Sequence, residues 1–162
     1  MNDGLGKKAE KKIREWLDRP QDGYSFDRIP DQMTGFYGSK NICDFTLFKS
    51  PNMYYIESKA TLSNRFDFSM ITDTQRDGLL KKSTIQSTYG FIIVLFATHQ
   101  RAFVLNIQHI KWLMDNGTQS LNIEKIDRWK IPYKEIRTVP NNRKYLLDYT
   151  GEIEEYIPSA RL

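Results

Sequence analysis

The chain has 162 residues, 40% of them hydrophobic, which suffices for one globular domain with a modest core. Its formal net charge of +4 suits an acidic partner and is equally ordinary for an enzyme surface. The single cysteine, Cys43, excludes an intramolecular disulfide, and the longest apolar run, residues 90–97, is too short to cross a bilayer. We therefore expect one cytoplasmic domain over residues 1–162, without an export signal or a membrane partner.

Residues 5–18 predict an amphipathic helix. Its apolar stripe consists of Leu5, Ala9, Ile13, Trp16 and Leu17. The basic residues lie on its other faces and are Lys7, Lys8, Lys11, Lys12 and Arg14. After the helix, residues 24–29 predict a short edge strand, and residues 30–41 have the Pro, Gly and Asn content of a loop.

Residues 41–61 predict two strands joined by a turn at Ser50–Pro51. This register sets Asp44 opposite Glu57, and because side chains alternate along a strand, Lys59 shares the face of Glu57. The three charges then converge on one face. The alternate residues, expected to pack into the core on the other face, are Cys43, Phe45, Leu47, Ile56 and Ser58.

The following elements alternate between helix and strand. Residues 61–70 are irregular, residues 72–87 predict a helix, residues 89–97 a strand buried on both faces, residues 102–107 another strand, and residues 107–115 a helix. This order predicts an α/β fold with a central mixed sheet flanked by helices. Residues 111–162 form a mixed extension without an assigned role.

The converging charges suggest a chemistry. Two close carboxylates repel each other unless a cation or a proton separates them, and a hard divalent ion such as Mg²⁺ is the usual solution, with Mn²⁺ as a substitute. A lysine beside the metal can orient an attacking water, which is the chemistry of phosphodiester hydrolysis. A salt-bridged hairpin on a solvated face would explain the same three residues without any chemistry.

The motif resembles that of the PD-(D/E)xK nuclease superfamily. Asp44 is followed by the hydrophobic run "MYYIE", which ends in Glu57, and then by Ser58 and Lys59. Within the superfamily, residues 4–110 look most like Holliday junction resolvases of the RecU and archaeal type, including phage-encoded relatives. The acidic Glu10 in the first helix and Gln75 at the start of the next long helix match further positions of that pattern.

This resemblance implies a restriction-endonuclease-like αβββαβ core and a metal-dependent, structure-selective endonuclease. Asp44 and Glu57 would bind the metal, Lys59 would assist the water, and Glu10 and Gln75 would complete the catalytic site. The resemblance also implies a homodimer that cuts opposed strands of a four-way DNA junction.

The sequence departs from the pattern in two ways that bear on function. The stretch at residues 29–41 is short where RecU enzymes insert a stalk into the junction, which weakens the case for junction selectivity. Leu79 replaces the tyrosine that exonucleases of the superfamily carry after the glutamine, which favours an endonuclease. The alternatives are a restriction-like or repair endonuclease acting on linear duplex DNA, and an inactive DNA-binding module of the same fold.

Further basic and aromatic residues are candidates for DNA contacts, although they are equally good as ordinary surface. They are Lys7, Lys8, Lys11, Arg28, Tyr37, Lys40 and Arg65. His99 and His109 have no Cys or Glu at ligand spacing, so we expect no zinc site.

Overall fold

The structure is a computed structural model that describes residues 3–19, 23–30, 40–139 and 145–157. Its longer helices are α1 (Asp3–Leu17), α2 (Asp73–Ser83) and α3 (Ile107–Asp115). Its strands are β1 (Ser25–Arg28), β2 (Phe45–Lys49), β3 (Asn52–Thr61), β4 (Arg65–Asp67), β5 (Thr88–Phe96), β6 (Arg101–Asn106), β7 (Ser120–Asn122), β8 (Lys134–Glu135), β9 (Thr138–Val139) and β10 (Asp148–Tyr149). None of the described helices is long and apolar enough to span a membrane.

Six strands form the central sheet in the order β1-β2-β3-β5-β6-β8. The pair β3 and β5 is parallel, and the other neighbours are antiparallel. The parallel pair needs a crossover, which α2 supplies between the two strands. The mixed sheet flanked by helices predicted from the sequence and the αβββαβ order implied by the resemblance are therefore confirmed.

Strand β5 is buried on both faces because helices cover both sides of the sheet. Phe91, Ile93 and Leu95 pack with α1, whereas Ile92 and Val94 pack in a second cluster with α2 and α3. The apolar stripe predicted for α1 faces the first cluster, with Ala9, Ile13, Trp16 and Leu17 almost completely buried.

The predicted register of the β2–β3 hairpin is confirmed, with Phe48 opposite Met53 and Phe45 opposite Ile56. The ladder ends there, and the backbone N–H of Asp44 donates to the carbonyl of Ile56 at 3.1 Å instead of pairing with Glu57. This irregularity changes the direction of the preceding side chain. Cys43, predicted on the same face as Phe45, packs in the cluster of α2 and α3 on the opposite face.

Helix α2 is shorter than predicted and ends at Ser83. Ile85, which lies beyond its end, is 56% exposed and does not pack into the core. Gly78 allows α2 to approach the segment before β2, because a Cβ at this position would lie 2.3 Å from Cγ2 of Ile42. Close contact with the residues that lead into Asp44 thus explains a glycine in the middle of the helix.

Two other predictions were wrong in detail. The segment predicted to be irregular contains β4, which pairs antiparallel with β7. Lys12, predicted on a face away from the apolar stripe, is nevertheless only 8% exposed because its Nζ donates to Asp148 Oδ1 at 2.5 Å and to Glu15 Oε2 at 2.8 Å. The extension contributes β8 to the central sheet, and Tyr149 and Tyr156 to the cluster around α1.

Candidate active site

Glu57 lies on β3 and is the most buried carboxylate of the predicted site, with 2% of its surface exposed. Its Oε1 accepts hydrogen bonds from Gln75 Nε2 at 2.6 Å and from Lys59 Nζ at 2.9 Å. Its Oε2 is also buried and has no hydrogen-bond partner among the described residues. A buried carboxylate oxygen without a partner is costly, so this atom requires a proton or a cation.

Asp44 lies beside the middle of β3. Its Oδ2 accepts a hydrogen bond from the backbone N–H of Ser58 at 2.8 Å, which places its carboxylate next to the strand that carries Glu57. The pKa of Glu57 is raised to about 8, by burial first and by the negative charge of Asp44 second, while Lys59 acts in the opposite direction. The predicted convergence of Asp44, Glu57 and Lys59 is present, and the two carboxylates repel each other.

Gln75 connects the start of α2 to these charges. Its Oε1 accepts from Lys59 Nζ at 3.0 Å and from the backbone N–H of Thr72 at 3.0 Å, while its own backbone N–H donates to Thr72 Oγ1 at 3.3 Å. This reciprocal arrangement is a capping box. Sequence reasoning had not assigned Thr72 to the site, although the Thr-x-x-Gln spacing was the signal that could have found it.

Glu10 reaches the same region from α1. Its Oε2 lies 3.6 Å from Nη2 of Arg28, and its charge contributes to the raised pKa of Glu57. A cavity of about 360 Å³ surrounds this ion pair. The residues lining it are Lys7, Glu10, Lys11, Arg14 and Arg28. Four cations and one carboxylate leave this cavity, which we call the basic cavity, with an excess of positive charge.

The other predicted DNA contacts are distributed more widely. Lys8 is exposed on α1, and Lys40 is exposed in the segment before β2. Arg65 is bound to Asp67 within β4, at 3.0 Å between Nη2 and Oδ1. Tyr37 lies outside the described residues.

The donor set at the site fits a hard divalent cation. Within residues 3–19, 23–30, 40–139 and 145–157, no three His, Cys, Asp or Glu side chains gather to hold a metal. Magnesium, however, usually binds to one or two carboxylates and keeps several waters. Asp44 and the unpartnered oxygen of Glu57 offer such a pair. Burial and both carboxylates raise the pKa of the neighbouring Cys43 thiol to about 12, so this thiol stays protonated in the metal-free protein.

Comparisons with known proteins give one family match and one similar solved structure. The family model described as Recombination protein U, RecU, matches residues 25–155, a range that includes Asp44, Glu57, Lys59 and Gln75 and begins after Glu10. A solved structure of Archaeoglobus fulgidus Hjc, a Holliday junction resolvase from an archaeal hyperthermophile, is similar with a TM-score of 0.43 and 12% identity, covering 64% of this chain and 78% of that chain. No curated protein matches the chain significantly.

Proposed function

Because the chain belongs to the RecU family of Holliday junction resolvases, we propose that it nicks opposed strands of four-way DNA junctions by metal-dependent hydrolysis. Magnesium is the proposed ion, and manganese is expected to replace it. The observation that carries this proposal is the pair of carboxylates, Asp44 and Glu57, with one buried oxygen of Glu57 left without a partner.

Asp44 and Glu57 would hold the metal, which when bound would polarise a phosphoryl oxygen and offset the negative charge that develops on it. Ser58 supports this role because its backbone N–H fixes one oxygen of Asp44. Gln75 and Lys59 support it because both donate to Oε1 of Glu57, which leaves Oε2 for the cation.

Lys59 is proposed to orient the attacking water. An ammonium group has three N–H donors, and those of Lys59 reach Glu57 Oε1 and Gln75 Oε1 at 2.9 and 3.0 Å. The side chain is only 15% exposed, so its position is well defined and its remaining donor is directed within a narrow range. A water held by that donor would be positioned before the reaction starts, which lowers the entropic part of the barrier.

The basic cavity is proposed to bind the DNA backbone beside the cut. Lys7, Lys11 and Arg14 present positive charge from α1, and Arg28 adds to it from β1. The carboxylate of Glu10 pairs with Arg28, and its negative charge also raises the pKa of Glu57. We therefore propose that Glu10 completes the catalytic site. Lys8, Lys40, Arg65 and Tyr37 remain weaker candidates for DNA contacts.

Two further elements of the proposal concern assembly and location. Cutting two opposed strands calls for two active sites, so we propose that the enzyme works as a homodimer of single-domain protomers. We also propose that it acts in the cytoplasm of a bacterial, archaeal or phage-infected cell, where junctions form during DNA recombination and repair.

The proposal is tested on a labelled four-way junction and a linear duplex of matched sequence, each with magnesium and with excess chelator. We expect wild type to nick the junction symmetrically only in magnesium, and Lys59→Ala to be strongly impaired. Equal cutting of the duplex would instead indicate a restriction-like or repair endonuclease. Tight junction binding without cutting in either magnesium or manganese would indicate an inactive DNA-binding module.

A further inference from the structure

A second cavity, of about 590 Å³, lies at the N-terminal end of α2. Its apolar floor includes the buried Phe68 and Ile71 and the half-buried Met114. Its exposed polar rim includes Asp67, Ser69, Thr72, Asp73 and Gln119. We call it the α2 cavity. An apolar floor with a few polar groups around it, at this volume, is typical of a site for an organic ligand.

The walls of the α2 cavity are held by backbone hydrogen bonds. The N–H of Phe68 donates to the carbonyl of Gln119 at 2.9 Å, and the N–H of Ile71 donates to the carbonyl of Phe68 at 3.0 Å. The pairing of Asp67 with Ser120 in the β4–β7 ladder joins the same two segments. The cavity is therefore largely formed before any ligand arrives, which reduces the entropic cost of binding.

The charges around the α2 cavity disfavour a phosphate group. Among the described residues that line it, Arg76 is the cation, and it is bound by Asp73 at 3.0 Å and by Asp77 at 2.9 Å. The side chain of Asp73 is still 87% exposed, so it can accept further hydrogen bonds. Apolar surface below and carboxylate acceptors at the rim match an aromatic ring that carries an amino group. An aspartate pairs in this way with the amino group of cytosine.

The position of the α2 cavity identifies the source of such a ring. Thr72 lines the cavity and also forms the capping box with Gln75, whose amide contacts Glu57 and Lys59. A DNA strand whose phosphate lies at the proposed metal site would therefore carry its neighbouring bases past this cavity. Extruding a base costs free energy, and the cost is lowest where its pairing is already disturbed.

We propose that the α2 cavity binds a nucleobase unstacked from the junction next to the scissile phosphate, and that Asp73 accepts a hydrogen bond from its amino group. This inference rests on the proposed function, because it needs a DNA strand at Asp44 and Glu57. It gives the enzyme a preference for an amino-bearing base at one position beside the cut, with thymine disfavoured.

The test uses a pool of four-way junctions with randomised nucleotides around the branch point, cut in magnesium and sequenced at the cut. Wild type is compared with Asp73→Asn and with the matched control Asp77→Asn. Asp77 also pairs with Arg76 but does not line the cavity, so the control removes an equivalent negative charge outside the proposed site. We expect wild type to disfavour thymine at one position, Asp73→Asn to weaken that preference by about threefold to tenfold, and Asp77→Asn to keep it.

A second readout checks the unstacking itself. With 2-aminopurine at the preferred position, binding of wild type should raise its fluorescence, while Ser69→Tyr, which fills the cavity, should abolish the rise and retain the wild-type unfolding temperature. A wild-type profile without positional preference, or equal changes in Asp73→Asn and Asp77→Asn, would overturn the inference. If wild type cuts nothing, the proposed function fails, and sequencing of the bound fraction of the pool then tests the cavity by the same comparison.

Discussion

The side-chain nitrogen of Gln75 lies 2.6 Å from Oε1 of Glu57, although 18 positions separate these residues in the sequence. One amide thus links the start of α2 to the buried carboxylate of β3, and its oxygen also holds Lys59. The orientation of that amide depends on Thr72, which fixes it through the capping box.

Thr72→Val should reduce junction cleavage more than it reduces stability. Loss of the cap costs about 1 kcal/mol, whereas a displaced Gln75 would disturb Glu57 and Lys59 together and lower kcat by about tenfold to hundredfold. Thr72→Ser keeps the hydroxyl and should restore most of the rate. Single-turnover cleavage and urea unfolding of both variants check this prediction, and an equal rate loss in the serine variant would contradict it.

The stability of the metal-free protein should depend on pH through Glu57. Its pKa is raised to about 8 by burial and by Asp44, so the folded state holds its proton more tightly than the unfolded chain does. The stabilisation is therefore complete below the unfolded pKa near 4.5 and is lost as pH rises through the folded value.

Urea unfolding in chelator at about pH 5 and about pH 9 measures this effect. Between the lower and the higher pH, the free energy of unfolding should fall on the order of 3 kcal/mol more for wild type than for Glu57→Gln, since each pKa unit corresponds to about 1.4 kcal/mol. Magnesium at the higher pH should restore stability to wild type but not to Glu57→Gln. Parallel pH profiles for the two proteins would contradict the assignment.

Gly78→Ala should destabilise the protein even though alanine favours a helix. The new Cβ would lie 2.3 Å from Cγ2 of Ile42, and overpacking of this kind costs about 1–3 kcal/mol. Gly6→Ala in α1 is the matched control, because nothing lies within 4 Å of its Cβ, and it should stabilise by about 0.5–1 kcal/mol. Thermal unfolding of both variants measures whether stability falls for Gly78→Ala and rises for Gly6→Ala. Stabilisation of both would show that the side chain of Ile42 can move aside at little cost.

Lys11→Ala should weaken DNA binding, whereas Lys12→Ala should lower stability, although the two residues are neighbours in the sequence. Lys11 lines the basic cavity, so its removal should weaken junction binding and reduce the slope of log affinity against log salt by about 1. Lys12 is bound to Asp148 and Glu15, so its removal should leave the salt slope unchanged and cost about 1 kcal/mol in stability. Titrations at several salt concentrations decide between these roles, and a reduced slope for Lys12→Ala would refute the distinction.

Much of the fold could be predicted from the sequence because its signals are local. The turn at Ser50–Pro51 and the alternating apolar residues fix the register of β2 and β3, and the run at residues 89–97 is long and apolar enough to mark the central strand. The predicted convergence of Asp44 and Glu57 depended on that register, and it survives the irregularity that turns Cys43 to the other face.

The features that escaped prediction depend on distant parts of the chain. Lys12 is buried by Asp148, 136 positions away. The three-residue strands β4 and β7 pair across more than fifty residues, too short for a periodic signal. The α2 cavity is likewise assembled from residues 67–76 and 114–119. No local pattern reports such contacts, because each segment alone indicates at most its own helix, strand or loop and not the distant segment that it contacts.

The bond between Lys12 and Asp148 joins α1 to β10, and Trp16 Nε1 adds a hydrogen bond to the carbonyl of Gly151 at 2.9 Å. Residues 145–157 thus hold in place the helix that carries Glu10 and lines the basic cavity. A truncation before Tyr145 would remove no proposed catalytic residue, yet it would free one end of the helix on which DNA is proposed to lie. The last part of the chain thereby becomes a determinant of how firmly substrate is held.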